Sequence, residues 1–266
     1  MAFPYKHVVL IGATSGVGKG MAESLVESGV KVTAVGRRQD RLNEFVNKYG
    51  KDKADGAVFD IAEYQKAQQF AADIMEKSRD IDCLFLNAGI QRNWDLAELE
   101  NIDLEEFNSE MTINYTSFVA LVQAFLPYLK NQKPASIIFT GSNIAIVPAS
   151  TLPNYSASKT ALNVFTLCLR EQLKVAGSHV KVIEISGPPV QTELHDYMGA
   201  ETGRKMGMPL EDFTKLVMDG FYAGHDQIVI GSILDPTTFN EIVNKRRTAF
   251  EKLAEIIRVA TKTHKG

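Results

Sequence analysis

Cysteine is nearly missing from this sequence of 266 residues, which holds only Cys83 and Cys168. Both lie in apolar runs ("IDCLFLNAG", "NVFTLCLREQL") and read as buried free thiols in a reducing compartment, so a disulfide-built scaffold is excluded. The five histidines, His7, His179, His195, His225 and His264, show no ligand spacing, and no metal site is expected. Neither sign of charge dominates. A formal net charge of −3 gives no electrostatic case for binding nucleic acid or an anionic membrane. No apolar run approaches the roughly 20 residues that cross a bilayer. The opening "MAFPYKHVVL" has neither a charged leader nor a long apolar stretch. Linkers rich in Pro, Gly or Ser, internal repeats and low-complexity tracts are also lacking. What is present is 45% hydrophobic and 23% charged residues, ordinary proportions at a length that buries a substantial core. The expectation is one domain over 1–266 in a protein of the cytoplasmic type.

Short apolar runs alternate with amphipathic stretches. "HVVLIG" (7–12), "VKVTAVG" (30–36), "GAVFD" (56–60), "DCLFLNAG" (82–89), "ASIIFTGS" (135–142), "HVKVIEIS" (179–186) and "DQIVIG" (226–231) read as strands. Helices are expected over 19–29, 40–50, 63–78, 103–130, 155–175 and 236–262, the last with Phe239, Ile242, Val243, Phe250, Leu253, Ile256 and Ile257 as its apolar stripe. Strands apolar throughout, each followed by a helix, imply a parallel sheet covered on both faces. An eight-stranded barrel is the competing architecture. Seven strands and a glycine cluster in the first turn favour an α/β fold of Rossmann type, an open doubly wound parallel sheet flanked by helices. Ligands of such a sheet sit beyond the carboxyl ends of its strands.

"GATSGVGKG" (12–20) follows the first strand and opens the first helix. Gly12 lets the chain leave the strand, and Gly16 and Gly18 remove side chains where something must come close. Amides at a helix start suit a pyrophosphate, and Thr14 and Ser15 add hydroxyl donors. The same glycines could serve a tight turn alone. At the end of the second strand, where dinucleotide folds carry a ribose-binding acid, "AVGRRQDRL" offers Arg37 and Arg38. Forked guanidiniums suit a 2′-phosphate, which points to NADPH over NADH; a solvated arginine pair is the plainer alternative. In "NYSASKTALN", Tyr155 and Lys159 are four apart at a helix start and so share one face.

Together these marks resemble the short-chain dehydrogenases/reductases, in their compact single-domain branch. The similarity spans residues 5 to about 192: "GATSGVG", "LNAG" (86–89), Asn114 in "TINYTS", Ser142 thirteen residues ahead of Tyr155, and Tyr-x-x-x-Lys. The resemblance implies reduction of a ketone or aldehyde by NADPH, or oxidation of the corresponding alcohol. It makes Tyr155 the general acid, with Lys159 lowering its pKa and bonding the nicotinamide ribose. It makes Ser142 the holder of the substrate oxygen and Asn114 the support of a water in the proton path. Gly12, Thr14, Ser15, Gly16, Val17 and Gly18 would hold the cofactor along the first turn. Asp60 would bond the adenine amino group beside Ile61, although Asp60 also suits a strand-end turn. Asn87, Ala88 and Gly89 would line the adenosine side, and Val190 and Thr192 the carboxamide and pyrophosphate.

The sequence departs from the family pattern at Ile11, Leu86, Gly141 (where the family has Ser) and Gly187-Pro188 (where it has Pro-Gly). The resemblance also implies a homodimer or homotetramer through the helices over 103–130 and 155–175, and a substrate lid over about 190–225. Met198, Met206, Met208, Leu210, Phe213, Val217 and Met218 would give that lid an apolar cover, unless they are core or subunit contacts. Trp94 and the 143–154 loop could add to the pocket. A non-catalytic NADP sensor and a nucleotide-sugar epimerase or dehydratase are the competing functions.

Overall fold

The computed structural model describes residues 3–263; residues 1, 2 and 264–266, His264 among them, lie outside the described residues. The apolar runs become seven strands: β1 (His7–Ile11), β2 (Lys31–Gly36), β3 (Ala54–Val58), β4 (Cys83–Leu86), β5 (Ser136–Thr140), β6 (Lys181–Ser186) and β7 (Gln227–Val229). They form one parallel sheet in the order β3-β2-β1-β4-β5-β6-β7. The order reverses between β1 and β4. The crossovers there diverge to opposite faces and leave a crevice at the strands' carboxyl ends.

Alternate residues of each strand feed two cores. Val8, Leu10, Val32, Ala34 and Phe85 meet α1 (Gly16–Glu27), α2 (Gln39–Tyr49) and α8 (Leu210–Tyr222) through Met21, Leu25, Leu42, Phe213, Val217 and Phe221. On the other face Val9, Ile11, Leu84, Leu86, Ile137 and Phe139 meet α3 (Ala67–Lys77), α5 (Ser117–Leu129) and α6 (Pro153–Val175). Full burial of each such side chain contributes about 1.5–3 kcal/mol, which fixes the register from which the site is built.

The structure refines several expectations. The helix expected over 103–130 is α4 (Leu104–Met111), a π-helical turn over Thr112–Thr116, and α5. The helix expected over 63–78 begins instead as a 3-10 turn over Ile61–Lys66, capped by Asp60, whose side chain accepts from the Ala62 amide at 3.0 Å. Between β6 and β7 lie a 3-10 turn (Glu193–Met198), the short α7 (Ala200–Gly203) and α8. Phe213, Val217 and Met218 of α8 are core residues, with Met208 and Leu210 packed against them, which is the core reading that stood beside the lid for these residues. The reason is the spacing of Phe213, Val217 and Phe221, which makes one helical stripe against α1 and the sheet.

The long helix α9 (Pro236–Thr263) departs further from expectation. Phe239 and Val243 are buried, but Leu253, Ile256 and Ile257 are 56%, 64% and 53% exposed. Only its opening turns reach the core. Further along, an ion pair between Arg258 and Glu171 at 2.7 Å ties it to α6. Among the described residues, no helix is long and apolar enough to cross a membrane.

Candidate active site

The first turn is built by close approach. Gly12 adopts φ +87°, and a Cβ there would lie 2.6 Å from the Ala88 backbone. A Cβ on Gly18 would lie 2.0 Å from the Gly12 carbonyl and 2.4 Å from Asn87 Nδ2. Asn87 completes the contact by donating to the Gly12 carbonyl at 3.2 Å and accepting from Thr140 Oγ1 at 3.0 Å. The "GATSGVG" and "LNAG" segments are therefore one packed unit at the ends of β1 and β4. Ser15 forms no side-chain cap on α1, and the first turn of α1 carries no acid. Neither a side-chain cap nor an acid thus offsets the partial positive charge at the start of α1, which suits a pyrophosphate. These residues fit the dinucleotide.

The two arginines at the end of β2 part company. Arg38 folds back over the glycine turn, donating through Nη2 to Thr14 Oγ1 at 3.0 Å and Ser15 Oγ at 2.6 Å, and through Nη1 to Glu193 Oε2 at 3.0 Å. Arg37 turns the other way, 69% exposed and 3.8 Å from Asp60. Arg41 joins Arg38, donating to Glu193 Oε1 at 2.8 Å and to the Thr14 carbonyl at 3.1 Å. Partial burial disfavours the Glu193 carboxylate, yet the hydrogen bonds from Arg41 and Arg38 outweigh that and hold its pKa below the usual range. Thr192 lies against the turn, where a Cβ on Gly16 would approach its side chain to 3.2 Å. The Thr14 and Ser15 hydroxyls accept from Arg38, and each keeps its own O–H to donate.

At the ends of β4 and β5 a second group gathers. Pro153 at the start of α6 suits its first turn, and Tyr155 and Lys159 follow on the buried face. Lys159 Nζ donates to the Thr140 carbonyl at 2.9 Å and stands 5.6 Å from the centre of the Tyr155 ring. Ser142, next but one to Thr140, caps a 3-10 turn over Asn143–Ala145. Asn114 sits in the π-turn, which redirects its side chain from the helix axis. Its Oδ1 accepts from the Ile90 amide at 2.9 Å, while Nδ2 donates to the Ile90 carbonyl at 2.9 Å and to Ser158 Oγ at 3.0 Å. A Cβ on Gly89 would lie 3.2 Å from Asn114 Oδ1 and 3.8 Å from Lys159 Nζ, so these three residues adjoin.

The electrostatics correct one expectation. Burial pushes the Tyr155 phenol well above its ordinary range, reinforced by the charges of Glu110 and Tyr197, and the expected lowering by Lys159 is not found. Burial also draws Lys159 down to about 8, opposed by the charge of Glu184. Desolvation wins because Tyr155 is 7% and Lys159 2% exposed.

Around this group stand Glu110, Gln91 and Tyr197, which motif reading passed over, together with Trp94, Val190 and Gly187, which it named. Glu110 of α4 accepts from the Arg92 amide at 2.8 Å and from Trp94 Nε1 at 2.9 Å, and its pKa is raised by burial. The Trp94 amide donates to the Thr151 carbonyl at 3.2 Å, joining the β4 loop to the 143–154 loop beside a cavity of about 660 Å³. Gln91 donates to the Tyr197 hydroxyl at 2.7 Å. Val190 pairs with Met208 in an isolated bridge. The Gly187-Pro188 order also has a cause: a Cβ at residue 187 would meet the Phe213 ring at 2.4 Å.

Residues 6–202 match the family model described as short chain dehydrogenase. An uncharacterized oxidoreductase, DltE of Bacillus subtilis (strain 168), is 29% identical over 223 residues, covering 83% of this chain and 86% of that protein. The crystal structure of a short chain dehydrogenase from Burkholderia cenocepacia J2315 in complex with NADP is 27% identical, with a TM-score of 0.75, covering 97% of this chain and 98% of that one. A short chain dehydrogenase/reductase from Burkholderia phymatum, solved in complex with NAD, shares the fold at 20% identity and a TM-score of 0.79, covering 91% of this chain and 93% of that one.

Proposed function

This chain belongs to the short chain dehydrogenase family, and from that premise we propose that it reduces a ketone or aldehyde with NADPH, or oxidises the corresponding alcohol in reverse. The observation that carries the reading is the meeting of Lys159, Asn114, Gly89 and the Thr140 carbonyl beside Tyr155, at the crevice where the strand order reverses. The relatives solved with NAD and with NADP support a nicotinamide dinucleotide. The first turn of α1 and the Asn87–Gly89 segment would hold it, and by resemblance Asp60 and Ile61 would border its adenine end.

When bound, the cofactor supplies the hydride. The chain supplies alignment and the proton. Tyr155 carries its proton at neutral pH and would donate it to a carbonyl oxygen as that oxygen gains electron density; burial opposes the transfer by disfavouring the phenolate, so the charge left behind must be offset. Ser142 Oγ lies at the same strand end as the Thr140 carbonyl and would hold that oxygen. Lys159, partly charged near neutrality, offsets the negative charge developing on Tyr155 as its proton leaves. Asn114 fixes the π-turn to Ile90 and so fixes the floor beneath the proton path.

Preference for NADPH rests on Arg38 and Arg41. Both already donate to one carboxylate, that of Glu193, and a 2′-phosphate asks for the same forked donors. Arg37 is the lesser contributor because it faces Asp60. By resemblance the functional unit would be a homodimer or homotetramer, and the free thiols of Cys83 and Cys168 suit a reducing compartment such as the cytoplasm. The test is consumption of NADPH with a panel of carbonyl compounds; tight NADPH binding with no turnover of any of them would leave a sensor as the better reading.

A further inference from the structure

Glu184 has no place in the motifs above, yet it is a fully buried acid in the middle of β6, 1% exposed. A buried carboxylate survives only where it is bonded and compensated. Its bonds come from one amide: Asn163 Nδ2 donates to Oε1 at 2.9 Å and to Oε2 at 2.8 Å, so both oxygens accept; burial raises its pKa, and the Asn163 bond and the nearby cations oppose that rise. Asn163 lies one turn beyond Lys159 on α6, on the same face. The amide's orientation is set from outside, because Arg246 of α9 donates to Asn163 Oδ1 and leaves the NH2 facing Glu184.

Gly141 explains how the carboxylate reaches this position. A Cβ at Gly141 would lie 2.8 Å from Glu184 Oε1. The serine that the family pattern leads one to expect at Gly141 would press on the Glu184 carboxylate and oblige it to shift. Gly141 joins Thr140, whose carbonyl holds Lys159, to Ser142. The cations acting on Glu184 are, in descending order, Arg170 of α6, Arg246 of α9 and Lys159 of α6. Arg170 is committed to the Val182 and Asp226 carbonyls at 3.0 and 2.9 Å. The groups acting on Lys159 are Glu184 and, one turn back, the phenol of Tyr155.

We propose that Glu184 is a positioning residue: a buried counter-charge, set by Asn163 and Arg246, that holds the Lys159 ammonium at the end of β5 and ties helix α9 to the catalytic centre. The proposal rests on the reductase reading for its purpose, but its test does not need turnover. Lys159 is followed by NMR titration in protein labelled with carbon-13 lysine, its signal assigned by loss in Lys159→Arg. Glu184→Gln is expected to lower the Lys159 midpoint by about one pH unit, and Arg246→Met to lower it by less. Glu184→Asp is expected to restore part of the shift. Gly141→Ala, which displaces the carboxylate without removing it, moves the midpoint in the same direction and serves if Glu184→Gln does not fold. An unmoved midpoint in folded Glu184→Gln or Gly141→Ala overturns the proposal. A moved midpoint in a protein that reduces no carbonyl compound would keep this proposal and discard the reductase reading. Reduction with an unmoved midpoint would do the reverse.

Discussion

The ammonium of Lys159 stands 5.6 Å from the centre of the Tyr155 ring while donating to the Thr140 carbonyl at 2.9 Å. One lysine thus binds the end of β5 to the face of α6 that carries the phenol. Tyr155→Phe keeps this packing and removes only the hydroxyl. It is expected to cut kcat by about 10²–10⁴-fold with the dissociation constant for NADPH changed less than about 3-fold. Retained activity in steady-state assays would remove Tyr155 from the acid role.

Lys159 gives a pH dependence with opposite signs for activity and stability. Its folded value of about 8 lies below that of an exposed lysine, near ~10.5. Between the two, the unfolded chain binds a proton that the folded chain lacks, so the residue's contribution to stability rises with pH through that window. Activity needs the ammonium and falls above about pH 8. The melting temperature of Lys159→Met relative to wild type is therefore expected to be higher near pH 7 than near pH 10, measured by thermal unfolding.

Glu193 occupies Arg38 and Arg41 with a carboxylate that an incoming 2′-phosphate must displace. Glu193→Gln weakens that competitor and is expected to tighten NADPH several-fold while leaving NADH unchanged. Arg38→Ala is expected to weaken NADPH by about 10–100-fold and NADH by less than about 3-fold. Equal losses in fluorescence titrations with the two cofactors would show that the arginines do not read the phosphate.

Two glycines separate packing from backbone strain. A Cβ on Gly18 meets the Gly12 carbonyl at 2.0 Å, whereas at Gly29, φ +88°, nothing lies within 4 Å. Gly29→Ala is expected to cost about 1–2 kcal/mol in urea unfolding, the strain of a left-handed residue alone. Gly18→Ala must move backbone against backbone at the ends of β1 and β4. It is expected to cost more than Gly29→Ala and to abolish NADPH binding.

Much of this was legible in the sequence for a simple reason. Strands such as "HVVLI" are buried on both faces, so all but the opening His7 are apolar, and the switch to a period of 3.6 marks each helix. Tyr155, Lys159, Ser142 and Asn114 came as a spaced set. What escaped has physical causes too. A π-turn at Thr112–Thr116 changes the helical phase without changing composition. Glu193 follows Thr192 in an irregular stretch, and its partners Arg38 and Arg41 are more than 150 residues away in sequence. Glu184 did leave a signal, a lone acid inside the apolar run "VIEIS", but its meaning depends on Gly141, Asn163 and Arg246, which only the fold brings together. The apolar residues of α8 suited either a lid or the core, and the burial of Phe213, Val217 and Met218 selects the core.

The central claim is that Tyr155 delivers a proton to a carbonyl oxygen as a hydride reaches its carbon. It is tested most directly by supplying NADPH deuterated at the transferable position together with a panel of ketones and aldehydes, and examining the alcohols by mass spectrometry. The expected result is deuterium on the former carbonyl carbon with the wild-type protein and none with Tyr155→Phe, at matched NADPH occupancy. Full NADPH occupancy with no labelled alcohol from any compound, or equal labelling by Tyr155→Phe, would contradict the account.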